Sequence, residues 1–68
     1  MNISISVLIL TYNERLHIER CIKSAHRISD KIYVVDSYST DGTQEIARRL
    51  GATVVEHDYV RDIQKIAN

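Results

Sequence analysis

The sequence predicts an α/β fold: a three-layer βαβαβ arrangement in which three short strands form a parallel sheet and alternate with helices. Three observations predict it. Runs rich in β-branched residues recur at residues 3–10, 31–36 and 53–57. Between them lie stretches whose apolar residues fall at helical spacing. The connections are short, and a strand, helix, strand unit of this kind makes a right-handed crossover between parallel neighbours.

The first run, ISISVLIL at residues 3–10, is closed by Thr-Tyr-Asn and reads as a strand. Residues 7–10 have no polar break, which is the pattern of a strand buried on both faces. A helix follows, because Ile18, Cys21, Ile22 and Ala25 fall at i, i+3, i+4 and i+7, with Glu14, Arg15, Glu19, Arg20 and Lys23 on the remaining faces. Its start is marked twice: Asn13 is a good N-cap, and Thr11 and Glu14 have the Thr-x-x-Glu spacing of a capping box. Asp30 turns the chain into KIYVVD, residues 31–36, the second strand. STDGT then opens a second helix over residues 43–50, with Asp41 as N-cap, Gln44 three residues on, Ile46 and Leu50 facing inward, and Gly51 as its stop. TVVEH, residues 53–57, is the third strand. Residues 58–68 carry Val60, Ile63, Ile66 and Ala67 at near-helical spacing and begin another helix.

Length and charge narrow the function. A chain of 68 residues is one small domain or a piece of a larger one, and at this size about 60% of the unfolded surface is buried. One cysteine permits no internal disulfide, and no Cys/His spacing suggests a structural zinc. Cys21 reads as a reduced core thiol in a cytosolic protein. Nine basic and nine acidic side chains cancel and are interspersed, so there is no basic face for a nucleic-acid partner. The apolar run at residues 3–10 is too short to cross a bilayer and lacks the basic start of a signal peptide.

In parallel sheets ligands sit beyond the carboxyl ends of the strands. That rule selects residues 11–14 (TYNE) and 36–41 (DSYSTD). A dinucleotide site would carry G-x-G-x-x-G in the first loop, with an acid ending the second strand to take the ribose. Asp36 stands where that acid belongs, but the glycines are missing, and no Walker loop occurs anywhere. The expectation is a loop that meets its ligand with side chains beside a carboxylate able to accept hydrogen bonds from a nucleoside. The plainer alternatives are that Thr11, Asn13 and Glu14 only cap a helix and that Asp36 only ends a strand; it is their pairing on one sheet edge that favours a ligand. His17 and His26 read as surface residues, and Glu56, His57 and Asp58 as a strand end, since adjacent strand residues point to opposite faces.

The segments SVLILTYNE and, about twenty residues on, VVDSYSTDGTQEIARRLGA resemble the amino-terminal part of family 2 glycosyltransferases of the GT-A fold, including bacterial enzymes of lipopolysaccharide and exopolysaccharide synthesis. The family pattern is an apolar strand ending in T-Y/K-N-E and a second ending in V-D-x-x-S-T-D-G-T. The resemblance implies a Rossmann-like half of a nucleotide-diphospho-sugar transferase fold, with residues 1–68 as a single amino-terminal nucleotide-sugar-binding segment. It implies transfer of a sugar from a nucleotide-diphosphate donor to a hydroxyl of a glycan or lipid-linked acceptor, at the inner face of the membrane or in the cytoplasm. Carried over by residue, Thr11, Tyr12, Asn13 and Glu14 line the donor-nucleotide pocket, Asp36 bonds the base or ribose, and Arg61 or Lys65 faces the donor phosphates. Plain solvent exposure competes as an account of those two basic residues. Ser39, Thr40 and Asp41 are implied to be mainly structural. Tyr38 stands where many relatives have glycine, and a tyrosine is strained there if the position needs a positive φ.

The resemblance also implies a divalent cation, magnesium or manganese, held by an Asp-x-Asp motif on a later strand. No D-x-D occurs in this chain, so the ligands and the catalytic base are expected elsewhere, and the segment alone is expected to be inactive. Two readings compete: a βα module of the receiver or flavodoxin type, with Asp36 taking phosphate or metal, and a fragment that associates with itself through an exposed sheet edge.

Overall fold

A computed structural model of the protein describes residues 4–67, with only the backbone at residue 67. The order is β1 (Ser6–Thr11), α1 (Arg15–Ala25), β2 (Lys31–Asp36), α2 (Thr43–Arg49), β3 (Thr53–Glu56) and α3 (Tyr59–Ala67). The strands form one parallel sheet in the order β1-β2-β3. The expected start of the first strand at residue 3 lies outside the described residues; the strand runs from Ser6 and extends through Thr11.

The core follows from the two helix stripes. Ile18, Ile22 and Ala25 of α1 and Ala47 of α2 are buried with Ile32 and Val34 of β2 and with Ala52; Val7, Ile9, Ile46, Leu50 and Val54 pack partly buried around them. The chain steps from β1 to β2 to β3 in one direction, and crossovers of one hand then place both helices on the same side of the sheet. Accordingly α1 packs against α2. Helices α1 and α2 thus form one layer against the sheet. For the same reason residues 7–10 are not buried on both faces: Val7 and Ile9 meet the helices, while Leu8 and Leu10 remain 64% and 55% exposed on the other side. Leu8, Leu10, Tyr33, Val35 and Val55 share that bare apolar face. Cys21 is exposed rather than a core thiol, because the α1 stripe is narrower than the sequence spacing allows.

Helix α2 ends in a Schellman motif. Gly51, at φ 93°, lets its N–H reach the Arg48 carbonyl (3.0 Å) and the Ala52 N–H reach that of Ala47 (3.0 Å). The orphan carbonyl of Leu50 is met by His26 Nε2 at 3.0 Å, which ties the two helix ends together. No described helix is long and apolar enough to cross a membrane.

Candidate functional site

The parallel register puts Thr11, Asp36 and Glu56 level in one row at the carboxyl end of the sheet. Asp36 is the centre of this end and is fully buried. A buried charge needs partners, and the end of β1, the second loop and α2 together supply four. Oδ1 accepts from the Thr11 hydroxyl (2.6 Å) and the Ser39 hydroxyl; Oδ2 accepts from the Ser39 N–H (2.8 Å) and the Gln44 side-chain amide (2.7 Å). Burial pushes the Asp36 carboxyl up, but these donors to the ionised form together outweigh it and hold the group below the usual carboxylate range.

The two expected loops are stitched together rather than merely adjacent. Asn13 donates its N–H to the Ser39 hydroxyl (2.8 Å), and its side-chain oxygen accepts from the Thr40 N–H (2.9 Å). The Glu14 N–H donates to the Thr43 hydroxyl (3.0 Å) and the Arg15 N–H to Asp41 Oδ2 (3.0 Å). These are the free N–H groups at the start of α1, so the helix is capped from the other loop. The expected local capping box is not formed: Glu14 is the N-cap, without a side-chain cap bond. The reason is that Asn13 sits at φ 51° with its side chain committed to Thr40. Asp41 likewise serves both helices, since its Oδ1 also accepts from the Thr43 N–H (3.1 Å) and hydroxyl, while Gly42 at φ 91° is the N-cap of α2. The Thr43 hydroxyl holds the Asp41 carboxyl below its usual range against the opposing effect of desolvation, and the N–H groups of Arg15 and Thr43 assist.

Tyr38 has φ 53°. The position thus needs the left-handed conformation, at a cost of about 1–2 kcal/mol for a residue with a Cβ.

A third corner, which sequence reasoning left as a strand end, joins the other two. The His57 N–H donates to the Asp36 carbonyl (3.0 Å), continuing the β2–β3 ladder past Glu56. Asp58 caps α3 through the Arg61 N–H (3.1 Å) and also accepts from the Ser37 hydroxyl at a long 3.3 Å. Tyr59, one residue on, is half-buried; burial first, and then the Asp36 and Glu14 carboxylates, push its phenol above the ordinary range. The signal available in the sequence was positional: the residues after β3 leave the same sheet edge as the two loops already singled out.

Of the expected site residues, Thr11 is buried against Asp36, Tyr12 is half-exposed, Asn13 is exposed with its side chain bonded across the loops, and Glu14 is half-buried. Thr11, Asn13 and Asp36 thus form one hydrogen-bonded unit through Ser39, Thr40 and the sheet register. Arg61 is exposed on α3, and no described side-chain contact draws it to the corner. Among the described residues no group of three His, Cys, Asp or Glu side chains is arranged to hold a metal ion: Asp36 is spent on four donors, and His57 pairs with Asp62 at 2.9 Å. The donor set present does not fit a divalent cation.

Residues 6–65 match the model of the family described as Glycosyl transferase family 2. The chain is similar to uncharacterized glycosyltransferases of Rickettsia bellii (55% identical), Rickettsia conorii (51%) and Rickettsia typhi (49%), each over 51 residues. Those matches take in 75% of this chain but only 17–18% of each relative, so the chain spans under a fifth of the length of the curated relatives it matches. No solved structure matches it.

Proposed function

The chain belongs to glycosyl transferase family 2, and from that premise we propose that it forms the nucleotide-binding half of an enzyme moving a sugar from a nucleotide-diphosphate donor to an acceptor hydroxyl. The observation that carries this reading is the joining of the two loops at one end of the sheet, where Ser39 bonds both the Asn13 N–H and the Asp36 carboxylate. A rigid polar corner of this kind pre-organises a ligand site. Tyr12 offers the base an apolar face, Glu14 offers an acceptor, and Thr11, Asn13 and Asp36 hold the corner in shape. Asp36 itself meets the base or ribose by exchanging one of its four donors, and the Gln44 amide, which comes from α2, is the one whose loss leaves both loops intact. Arg61 reaches the donor phosphates as a mobile surface cation.

Family 2 enzymes commonly use divalent cations, and we place the ligands for one outside this chain. The acceptor is a glycan or lipid-linked glycan of the cell envelope, handled in the cytoplasm at the inner membrane face. The receiver-like alternative is disfavoured because a receiver gathers several acids at this end of the sheet, whereas the first strand ends in Thr11 and no group of three His, Cys, Asp or Glu side chains forms among the described residues.

Melting the chain with millimolar UDP, GDP, dTDP and CDP tests the reading. Ligand at 100 times its Kd adds about 2.7 kcal/mol, and the midpoint should rise by several degrees with at least one of the four. No rise with any would refute it. A second reading rests on the bare face of Leu8, Leu10, Tyr33, Val35 and Val55: two copies of the chain cover each other there. Sedimentation equilibrium showing a concentration-independent monomer would exclude that association.

A further inference from the structure

The charges that are interspersed along the sequence are sorted by the fold. Glu14, Asp36, Asp41, Glu56 and Asp58 all stand at the carboxyl end of the sheet, where strands run out and helices begin. The outer surface of the helix layer is different: Arg20, Lys23, Arg27, Arg48 and Arg49 are exposed on it, against Glu19 and Glu45. The absence of a basic face expected from the sequence is thus corrected by the structure.

Helix α1 gives this face its order. Leu16, Arg20 and Lys23 recur at i, i+4 and i+7, and because His26 keeps helical dihedrals (φ −63°, ψ −20°), Arg27 continues the line past the end of α1. At 3.6 residues per turn the four fall within about 60° of one another, opposite the buried Ile18, Ile22 and Ala25. Together they line a hollow of about 420 Å³, which has a single helix for a wall and so cannot enclose a small ligand. Leu16, in the first turn, is 88% exposed. A lone exposed leucine is ordinary, but one at the head of a line of three cations has the composition of a helix that lies on an anionic bilayer. The acid beside the line, Glu19, pairs with Lys23 at 3.0 Å and leaves Arg20 and Arg27 uncompensated by it.

Resting on the reading above that the acceptor is handled at a membrane, we propose that the outer face of α1 docks the chain on a bilayer bearing anionic headgroups. Leu16 enters the boundary between headgroups and acyl chains, and Arg20, Lys23 and Arg27 meet the lipid phosphates. A nucleic acid also offers phosphates, but it has no apolar layer for Leu16, and no aromatic side chain stands in the line to stack on a base. Each cation near an anionic surface raises partitioning about fivefold, and one buried leucine about tenfold, so the attachment is weak and reversible. Since α1 begins at the carboxyl end of the sheet, an inserted Leu16 holds the corner of Thr11, Asn13 and Asp36 near the membrane surface, where a lipid-linked acceptor is presented.

Co-sedimentation of the 68-residue chain with vesicles at millimolar lipid tests this, using phosphatidylcholine alone and phosphatidylcholine mixed with phosphatidylglycerol. The unaltered chain should pellet only with the mixed vesicles, and high salt should release it. Replacing Arg20, Lys23 and Arg27 together by Gln should lower the partition coefficient about a hundredfold, and Leu16→Ser about tenfold. Replacing Lys31, Arg61 and Lys65 by Gln removes the same net charge away from α1 and should change it little. All seven side chains are exposed, so the urea midpoints of the variants should match that of the unaltered chain. No binding of the unaltered chain to the mixed vesicles, or equal loss in both triple variants, overturns the proposal. Leu16→Ser that leaves vesicle binding intact, with duplex DNA displacing the chain from the vesicles, makes the partner a nucleic acid and overturns it too. Melting with nucleotides is read separately, so each of these results leaves the nucleotide reading standing.

Discussion

Asp36 shows how one side chain can be read correctly in place and incompletely in role. Its position at the end of β2 followed from the apolar run that precedes it, and Ser39 three residues on supplies two of its donors, yet nothing in the letters VVDSYST reveals the other two, because Thr11 lies 25 positions upstream and Gln44 on another element. Replacing Asp36 by Asn keeps the volume but sets an amide donor among donors. We expect a loss of about 3 kcal/mol in urea unfolding, from a total that a chain of this size holds at about 3–10 kcal/mol. The pH dependence has a definite sign. Asp36 and Asp41 lie below their unfolded value in the native state, so the stability they contribute is present above about pH 4 and is lost as pH falls through the lowered native values. The urea midpoint should therefore fall from pH 5 to pH 2, and Asp36→Asn should flatten that profile; an unchanged profile would mean the four donors contribute nothing. Tyr38 was identified from sequence as strained if its φ is positive, and it is. Tyr38→Gly relieves the left-handed cost and adds unfolded-chain entropy, for a net gain of about 0.5 kcal/mol in the same assay.

Among the elements, β2 and the start of α2 match their sequence spans, since Asp30, the Asp-Gly turn and Gly51 punctuate the chain clearly. The first helix was placed correctly but its cap was not. Thr11, Asn13 and Glu14 carry a local capping pattern that the fold overrides, because Thr43 and Asp41 offer the same N–H groups better-placed oxygens from across the site. A single sequence gives no hint of a cap supplied from about 29 positions away. This coupling makes α1 depend on the second loop: Thr43→Val, which removes only the hydroxyl, should cost about 1–2 kcal/mol and speed amide exchange at Glu14 and His17 while leaving Ile22 protected. Uniform exchange across α1 would show instead that the whole helix, not its cap, depends on Thr43.

The molecule as a whole is a half-covered sheet. Its order and direction could be read from strand spacing, whereas the exposure of Leu8 and Leu10 could not, because the apolar residues of β1 look alike whether helices cover one face or two. Burying only one face leaves Leu8 and Leu10 in water, while the polar work is concentrated at one end, where three corners meet. The competing surface is the shallow hollow of about 420 Å³ along α1, lined by Leu16, Glu19, Arg20, Lys23, Ser24 and Arg27, which has charge but only one helix for a wall. The shared-corner account is tested most directly by a two-dimensional amide NMR titration of the chain with the nucleoside diphosphate that stabilises it most. The largest shifts should fall together on Tyr12, Glu14, Ser39 and Tyr59. Shifts confined to Arg20, Lys23 and Arg27, with those four amides unmoved, would contradict it.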